Sequence, residues 1–316
     1  MPTDLHQILY LKSYNRYTGG FKMLKTFISG LCALIFCLFC AVSLAAGADA
    51  QLSENSTLAG VLKRGELRIG LEAGYWPFEM LDKRSGLRQK NVRYGDVRHK
   101  GRQISIIGFD VDIGIEMAKK LGVKPVFVNI RWPSIIPALH LGRYDIIFGG
   151  MSVTEERKLK VDFCDPFMTV GQTVLLNPKH KGKVLSYKDL NDPQYTVVSK
   201  PGTTGEEAVL KKIPKCTYKT ADSEQEGAML VLDGKVDAFV YDLPFNAVFH
   251  SMHSKDKLIF LDTPFTTEPI AWAVRKNDPD LLKFANDFLA EIKKDGRFER
   301  IYNKWFKDTA WMRYVR

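Results

Sequence analysis

Short segments rich in β-branched and aromatic residues alternate with segments of helical periodicity along most of the chain. Residues 66–70 have the composition of a strand, and residues 110–121 place Val111, Ile115 and Ala118 on one helical face. This alternation predicts an α/β fold in which parallel sheets are covered by helices on both faces. In such sheets, ligands bind beyond the carboxyl ends of the strands. Further strands are predicted at residues 126–128, 145–148, 174–176, 196–198, 236–241 and 258–260, and further helices at residues 134–141, 206–212, 223–232 and 280–294.

The first 48 residues have the features of an export signal. Residues 27–48 carry no charge, follow the basic Lys22 and Lys25, and end in Ala46-Gly47-Ala48, the small-residue spacing that signal peptidase recognises. An uncleaved anchor is the competing interpretation, because 22 uncharged residues are long enough to cross a bilayer. The alanine- and glycine-rich end favours cleavage. We therefore predict a signal peptide over residues 1–48 and a periplasmic mature protein.

Most of the net charge of +10 comes from one stretch. Between Lys83 and Arg102 there are eight Lys or Arg residues and one acid, Asp96. The rest of the mature chain is nearly neutral, so no broad phosphate-binding face and no nucleic-acid partner are expected. The stretch is interpreted as a solvated hairpin, with a docking patch for an anionic membrane or partner as the alternative.

Two cysteines, Cys164 and Cys216, lie outside the predicted signal peptide. They could pair in an oxidising compartment, but two buried free thiols are the preferred prediction. The sequence contains no cysteine spacing typical of a metal site and none of the NTPase, zinc-peptidase or hydrolase motifs. No metal and no cofactor are expected.

Polar signals follow three of the predicted strands. After residues 146–148, two glycines precede Ser152 and Glu155, which have the spacing of a capping box, and Arg157 comes within the second turn. Free amides at a helix start together with a guanidinium make a site for a carboxylate. The pattern recurs after residues 196–198, with Thr204 and Glu207 at the same spacing.

Asp242 follows the third of these strands, where its carboxylate could hold an ammonium group. Each signal has a plain structural interpretation as well: a capping box is mostly a helix start, Asp242 could cap the next helix, and Tyr75 and Trp132 could be core aromatics. The convergence of all of them on strand ends favours a receptor for a zwitterion.

Four motifs resemble the family 3 solute-binding proteins of bacterial ABC importers, which take up polar amino acids. They span residues 108–113, 136–139, 149–157 and 161–167, and the resemblance extends from about Leu58 to Phe306. It implies a two-lobed fold, with each lobe a sheet flanked by helices and with two hinge strands. It also implies a monomer that closes on an amino acid and is recognised by an inner-membrane permease.

The resemblance implies specific roles at the site. Arg157 would bind the α-carboxylate with help from Ser152 and Thr204, and Asp242 would bind the α-ammonium. The remaining ligand-binding candidates would surround the side chain: Tyr75 and Trp132 as flat aromatic walls, Glu72 as an acid found in binders of cationic amino acids, and Gly150 where other members carry serine.

The lobes are expected to comprise residues 55–172 with 267–316, and residues 173–266, connected by strands at 172–176 and 264–271. The open and closed forms would differ by few kcal/mol, so that ligand contacts to both lobes decide between them. An alternative function on the same scaffold is a cyclohexadienyl or arogenate dehydratase, with Glu268 as the candidate general acid. We predict a binding protein and not an enzyme.

Overall fold

Two five-stranded sheets form the framework of the chain. The computed structural model describes residues 52–53, 56–82, 97–99, 102–253 and 256–315. Within these residues the strands are β1 (Glu66–Leu71), β2 (Met80–Leu81), β3 (Val97–His99), β4 (Arg102–Ile104), β5 (Ile106–Ile107), β6 (Lys124–Asn129), β7 (Ile146–Ile147), β8 (Val161–Phe163), β9 (Met168–Val170), β10 (Gln172–Leu176), β11 (Thr196–Ser199), β12 (Thr217–Thr220), β13 (Ala238–Asp242), β14 (Ile259–Leu261), β15 (Glu268–Ile270) and β16 (Ala273–Arg275). The α-helices are α1 (Thr57–Arg64), α2 (Phe109–Lys120), α3 (Ile135–His140), α4 (Glu155–Lys158), α5 (Thr204–Lys212), α6 (Glu224–Leu232), α7 (Leu243–Ser251), α8 (Pro279–Lys294) and α9 (Arg297–Tyr302).

Each sheet combines parallel and antiparallel strands. In the first, of order β6-β1-β7-β16-β8, β1 runs parallel to β6 and β7, whereas β16 runs antiparallel to β7 and β8. In the second, of order β12-β11-β13-β10-β14, β11 runs parallel to β12 and β13, whereas β10 runs antiparallel to β13 and β14. The α/β prediction is confirmed, but the expectation of purely parallel sheets is wrong. We call each sheet with its helices a lobe, the first and the second.

The chain crosses between the lobes twice, and the two crossings pair with each other. β9 leads from the first sheet to the second and β15 leads back, with Glu268 opposite Val170 in an antiparallel ribbon. These are the two hinge strands. The expectation that residues 172–176 form a connecting strand is wrong, because β10 is buried within the second sheet between β13 and β14. The other expected connection, residues 264–271, contains β15.

Helix α8 shows why periodicity located the helices well. Asp278 caps it by accepting a hydrogen bond from the amide of Leu281, and Pro279 occupies the first turn, where its missing N–H is no loss. Its apolar side chains recur every three or four residues and face the core, where each large one contributes about 1.5–3 kcal/mol by leaving water. The buried residues of this face are Leu281, Ala285, Phe288, Leu289 and Ile292.

Several sequence predictions fall outside or at the edge of the described residues. The predicted signal peptide and most of the basic stretch, residues 83–96 and 100–101, lie outside them. The described part of that stretch consists of β3 and of Arg102, the first residue of β4, and β3 pairs antiparallel with β4. Of the helices that the structure describes, none has the length and apolar character needed to cross a bilayer.

The two cysteines outside the predicted signal peptide are unpaired and differ in exposure. Cys164 is buried, whereas Cys216 is partly exposed. The expectation of two buried thiols is therefore correct for Cys164 and wrong for Cys216. Within the described part of the chain, no cluster of His, Cys, Asp or Glu has the arrangement of a metal site.

Candidate ligand-binding site

One cavity lies where the carboxyl ends of strands from the two lobes face each other. The first lobe contributes residues that follow β1, β6 and β7, and the second lobe contributes residues that follow β11 or end β13. All eight ligand-binding candidates from the sequence line this cavity. The lining residues are Glu72, Tyr75, Glu79, Trp132, Gly149, Gly150, Ser152, Arg157, Thr203, Thr204, Glu224, Tyr241 and Asp242.

Arg157 extends its guanidinium toward the second lobe. Its Nη1 donates to the carbonyl oxygen of Ser152 at 2.9 Å, and its Nη2 donates across the cleft to the carbonyl oxygen of Gly202 at 3.2 Å. The guanidinium carbon lies 5.2 Å from the centre of the Trp132 ring, a cation–π contact. Burial lowers the pKa of Arg157, and the charge of Asp242 opposes that shift, so the group stays protonated at neutral pH.

The two predicted helix starts are each displaced. α4 is capped by Thr154, whose hydroxyl accepts a hydrogen bond from the amide of Arg157, and not by Ser152. α5 is capped by Thr203 and not by Thr204. Neither predicted hydroxyl is therefore used in a cap: the oxygens of Ser152 and Thr204 lie 3.4 Å apart across the cleft, while Ser152 donates to Glu268 at 2.8 Å and Thr204 accepts from Gln172 at 3.2 Å.

Asp242 ends β13 and makes no capping hydrogen bond to α7. Instead, its Oδ2 accepts a hydrogen bond of 2.5 Å from the hydroxyl of Tyr75, and its Oδ1 accepts one from the side-chain amide of Gln172. Burial, followed by the nearby charge of Glu268, raises the pKa of Asp242 to about 7. The plain interpretation of Asp242 as a helix cap is therefore wrong.

Aromatic side chains enclose the ring of Tyr75. Its ring is almost fully buried, and the ring centre lies 4.6 Å from that of Phe78 and 5.7 Å from that of Tyr241. Both the ring, through Tyr241, and the hydroxyl, through Asp242, contact the second lobe. These contacts do not test the prediction that Tyr75 and Trp132 form a pair of aromatic walls around the ligand side chain. The face of the Trp132 ring contacts the guanidinium of Arg157.

Glu72 is paired with a lysine of the protein itself. Its Oε2 accepts hydrogen bonds from the amide of Trp132 at 2.9 Å and from Nζ of Lys200 at 2.5 Å. Lys200 also donates to Oε1 of Glu224 at 2.7 Å, and that oxygen accepts a bond from Tyr241 at 2.9 Å. Burial is the main cause that raises the pKa of Glu72, and the charge of Lys200 opposes it.

Two glycines form the turn after β7. Gly149 and Gly150 have positive φ angles of 97° and 60°, and both amides donate to the buried carboxylate of Asp110, at 2.7 and 3.2 Å. A Cβ on Gly150 would lie 2.3 Å from Cε1 of Tyr75. The glycine therefore leaves room for the Tyr75 ring, and a serine at this position would collide with that ring.

Sequence reasoning missed the charged groups that hold the candidate residues in place. Lys200 directly follows β11 and Glu224 begins α6, so the rule that located Asp242 at a strand end would also have selected Lys200. Gln172 gave no local signal, because its role depends on contacts between the hinge and both lobes, and Glu268 was selected only as the candidate general acid of the dehydratase alternative. Glu268 accepts hydrogen bonds from Ser152 at 2.8 Å, Thr266 at 2.6 Å and Gln172 at 3.1 Å.

Two sheet-based lobes, two hinge strands and a cavity at the facing strand ends define a two-lobed binding protein of the periplasmic type. The sequence matches the bacterial extracellular solute-binding proteins, family 3, over residues 67–308, and the chain belongs to that family.

Three relatives illustrate the similarity. A proposed binding component of an ABC transporter from Wolinella succinogenes, solved in complex with lysine, has 43% sequence identity and a TM-score of 0.70, covering 79% of this chain and 99% of that one. An ancestral amino acid-binding protein that is a precursor of cyclohexadienyl dehydratase has 39% identity and a TM-score of 0.67, with the same coverage. The ABC transporter glutamine-binding protein of Bacillus subtilis is 28% identical over 291 residues, 91% of this chain and 98% of the relative.

Proposed function

We propose that this protein binds an L-amino acid with a cationic side chain between its lobes and delivers it to the permease of an ABC importer. The observation that carries the proposal is the charge distribution of the single cavity shared by Arg157 and Asp242. Among the described lining residues, the carboxylates of Glu72, Glu224 and Asp242 stand against the guanidinium of Arg157, with Lys200 as one further cation behind them, while burial disfavours the charged form of Glu79. A ligand with one carboxylate and two cationic groups complements that balance better than a neutral or acidic amino acid does.

In this proposal Arg157 pairs with the ligand α-carboxylate, aided by the hydroxyls of Ser152 and Thr204. The α-ammonium binds Asp242 and competes there with the hydroxyl of Tyr75. The ligand side chain extends along Trp132 toward Glu72, and Gly150 forms part of the cavity wall. The family relative from Wolinella succinogenes that was solved with lysine supports a cationic ligand.

Closure follows from the division of these groups between lobes. Arg157 and Glu72 belong to the first lobe, and Thr204 and Asp242 belong to the second. A bound amino acid gains its full set of contacts only when the hinge strands bring both lobes together, so the ligand shifts the population toward the closed form. The closed form is the shape that the permease would recognise.

The remaining parts of the proposal concern the location of the protein, its oligomeric state and the boundaries of its lobes. We propose removal of residues 1–48 on export, a periplasmic monomer, and lobes of residues 55–172 with 267–316 and of residues 173–266. Membership of an extracellular solute-binding family supports export. The antiparallel pairing of β9 with β15 supports boundaries near these limits.

A thermal-shift screen of the mature chain against the twenty amino acids and ornithine tests the function. A ligand that binds only the folded state stabilises it by about 2.7 kcal/mol when present at a hundred times its Kd, so the melting temperature rises with concentration. We expect the largest rises with lysine, arginine or ornithine. If none of the twenty-one compounds raised the melting temperature, the proposal would be wrong.

The dehydratase alternative rests on Glu268 and on the similarity to the ancestral precursor of cyclohexadienyl dehydratase. A general acid must carry a proton that it can donate to the substrate. Glu268 instead accepts hydrogen bonds from Ser152, Thr266 and Gln172, so its carboxylate oxygens are engaged by side chains of the protein itself. We therefore propose binding without catalysis. Formation of phenylpyruvate from prephenate by the purified protein, followed by its absorbance, would support the enzyme instead.

A further inference from the structure

Lys200 lies between two carboxylates that come from different lobes. Its Nζ is 2.5 Å from Oε2 of Glu72 in the first lobe and 2.7 Å from Oε1 of Glu224 in the second. Its side chain is only 3% exposed, as is that of Glu224. The two carboxylates line the cavity, whereas Lys200 lies behind them and is not among the lining residues.

One lysine cannot balance both acids. Glu72 and Glu224 together carry two negative charges against one positive charge, so this end of the cavity keeps one negative charge in excess. The third carboxylate nearby, Glu79, adds less to that excess, because burial raises its pKa well above the usual range and disfavours its charged form. One positive charge on a ligand is the complement.

The two ion pairs of Lys200 also differ in how they respond to closure. The pair with Glu224 lies within the second lobe and persists when the lobes separate. The pair with Glu72 spans the cleft and exists only when the lobes meet. Lys200 therefore favours closure around any ligand, while its charge opposes a cation in the cavity.

We propose that Lys200 is a specificity-determining residue: a built-in cation that limits the side-chain end of the cavity to a single ligand charge. This inference rests on the proposed binding of amino acids with cationic side chains. Lys200 acts by setting the charge and position of Glu72 and Glu224, which are the groups that face the ligand. Its removal would make the cavity more selective for cations and would weaken closure on neutral ligands.

Isothermal titration calorimetry on the Lys200→Met protein tests the inference, with two ligand pairs of similar shape and different charge: L-arginine with L-citrulline, and L-lysine with L-norleucine. We expect the ratio of cationic to neutral affinity to rise by about tenfold or more in Lys200→Met, because a repulsive charge is lost. We expect the same ratio to fall by about tenfold or more in Glu224→Gln, because Lys200 then balances Glu72 alone.

Two further variants serve as controls. Lys200→Arg retains the charge and should keep the wild-type ratio. Lys235→Met removes an exposed second-lobe lysine that pairs with Asp233 away from the cavity, and should leave the ratio unchanged. If Lys200→Met does not fold, the ratio of cationic to neutral affinity in Glu224→Gln alone tests the role of Lys200.

An unchanged ratio in a folded Lys200→Met or Glu224→Gln protein, with wild-type binding intact, overturns the role of Lys200 and leaves the proposed function standing. Absence of amino-acid binding by the wild-type protein overturns both.

Discussion

The hydroxyl of Tyr75 in the first lobe donates a hydrogen bond of 2.5 Å to Oδ2 of Asp242 in the second. This contact joins the lobes at the carboxylate that we propose as the partner of the ligand ammonium. Other contacts made by the protein itself also cross the cleft: Lys200 with Glu72, and Trp132 with the carbonyl oxygen of Gly202 at 2.8 Å. A ligand must therefore offer stronger contacts than those the two lobes make with each other.

Substitution of Tyr75 by phenylalanine keeps the packed ring and removes only the hydroxyl. We expect the ligand-free protein to lose about 1–3 kcal/mol of unfolding free energy, because a buried carboxylate oxygen loses its donor. Amino-acid affinity should rise, since the ligand ammonium no longer competes with the hydroxyl. Urea unfolding and calorimetry measure the two effects. A decrease in both stability and affinity would show that Tyr75 supports the ligand site and does not compete for it.

Arg157→Ala should weaken amino-acid binding by about a hundredfold or more, because two hydrogen bonds to a charged carboxylate are lost. Arg157→Lys should bind with intermediate affinity, since an ammonium retains the charge but not the planar fork. Calorimetry gives the affinities, and circular dichroism with thermal melting checks that both variants fold. Wild-type affinity in folded Arg157→Ala would contradict the assignment.

The pH dependence of binding should follow Asp242, whose pKa burial raises to about 7. The ligand ammonium binds the ionised carboxylate, so binding lowers this pKa and releases a proton when Asp242 begins protonated. Above pH 7 the affinity should be nearly constant, and below pH 7 it should fall by up to about tenfold per pH unit. Titrations from pH 8 to pH 5, repeated in buffers of different ionisation enthalpy, measure both effects. A constant affinity over this range would refute the assignment.

Gly150→Ser should destabilise the protein by about 1–3 kcal/mol, because the new Cβ collides with the Tyr75 ring. The matched control is Gly182→Ser: Gly182 has a positive φ of 74°, similar to the 60° of Gly150, but no atom lies within 4 Å of its built Cβ. Denaturant midpoints of the two variants separate collision from backbone strain. An equal loss of stability in both variants would show that the positive φ angle, and not the collision with Tyr75, causes the destabilisation.

The two thiols should react at different rates with a thiol reagent in the native protein. Burial raises the pKa of Cys164 to about 12, and its side chain is only 3% exposed, so it should stay unreacted until the protein unfolds. Cys216 is partly exposed and should react first. Mass spectrometry of peptides after timed labelling distinguishes them. Preferential labelling of Cys164 would contradict the burial of this thiol.

Local pattern predicted much of the fold and the candidate site. Periodicity located α8 and the strand that ends at Asp242, and the glycines before Ser152 marked the turn that carries Arg157. These predictions worked because each depends on residues close together in sequence. The helix starts were misplaced by two residues at Ser152 and by one at Thr204, since several neighbouring hydroxyls compete for the same cap.

The sequence by itself determined many of the helices and strands, and several of the polar groups at strand ends, because burial periodicity and turn chemistry are local. Only the tertiary structure decided that β10 joins the second sheet, that Tyr75 meets Asp242, and that Lys200 pairs with Glu72 and Glu224. Those outcomes depend on strand pairing and on the meeting of two lobes. Groups up to 167 residues apart become neighbours there, and no short-range pattern encodes such a contact.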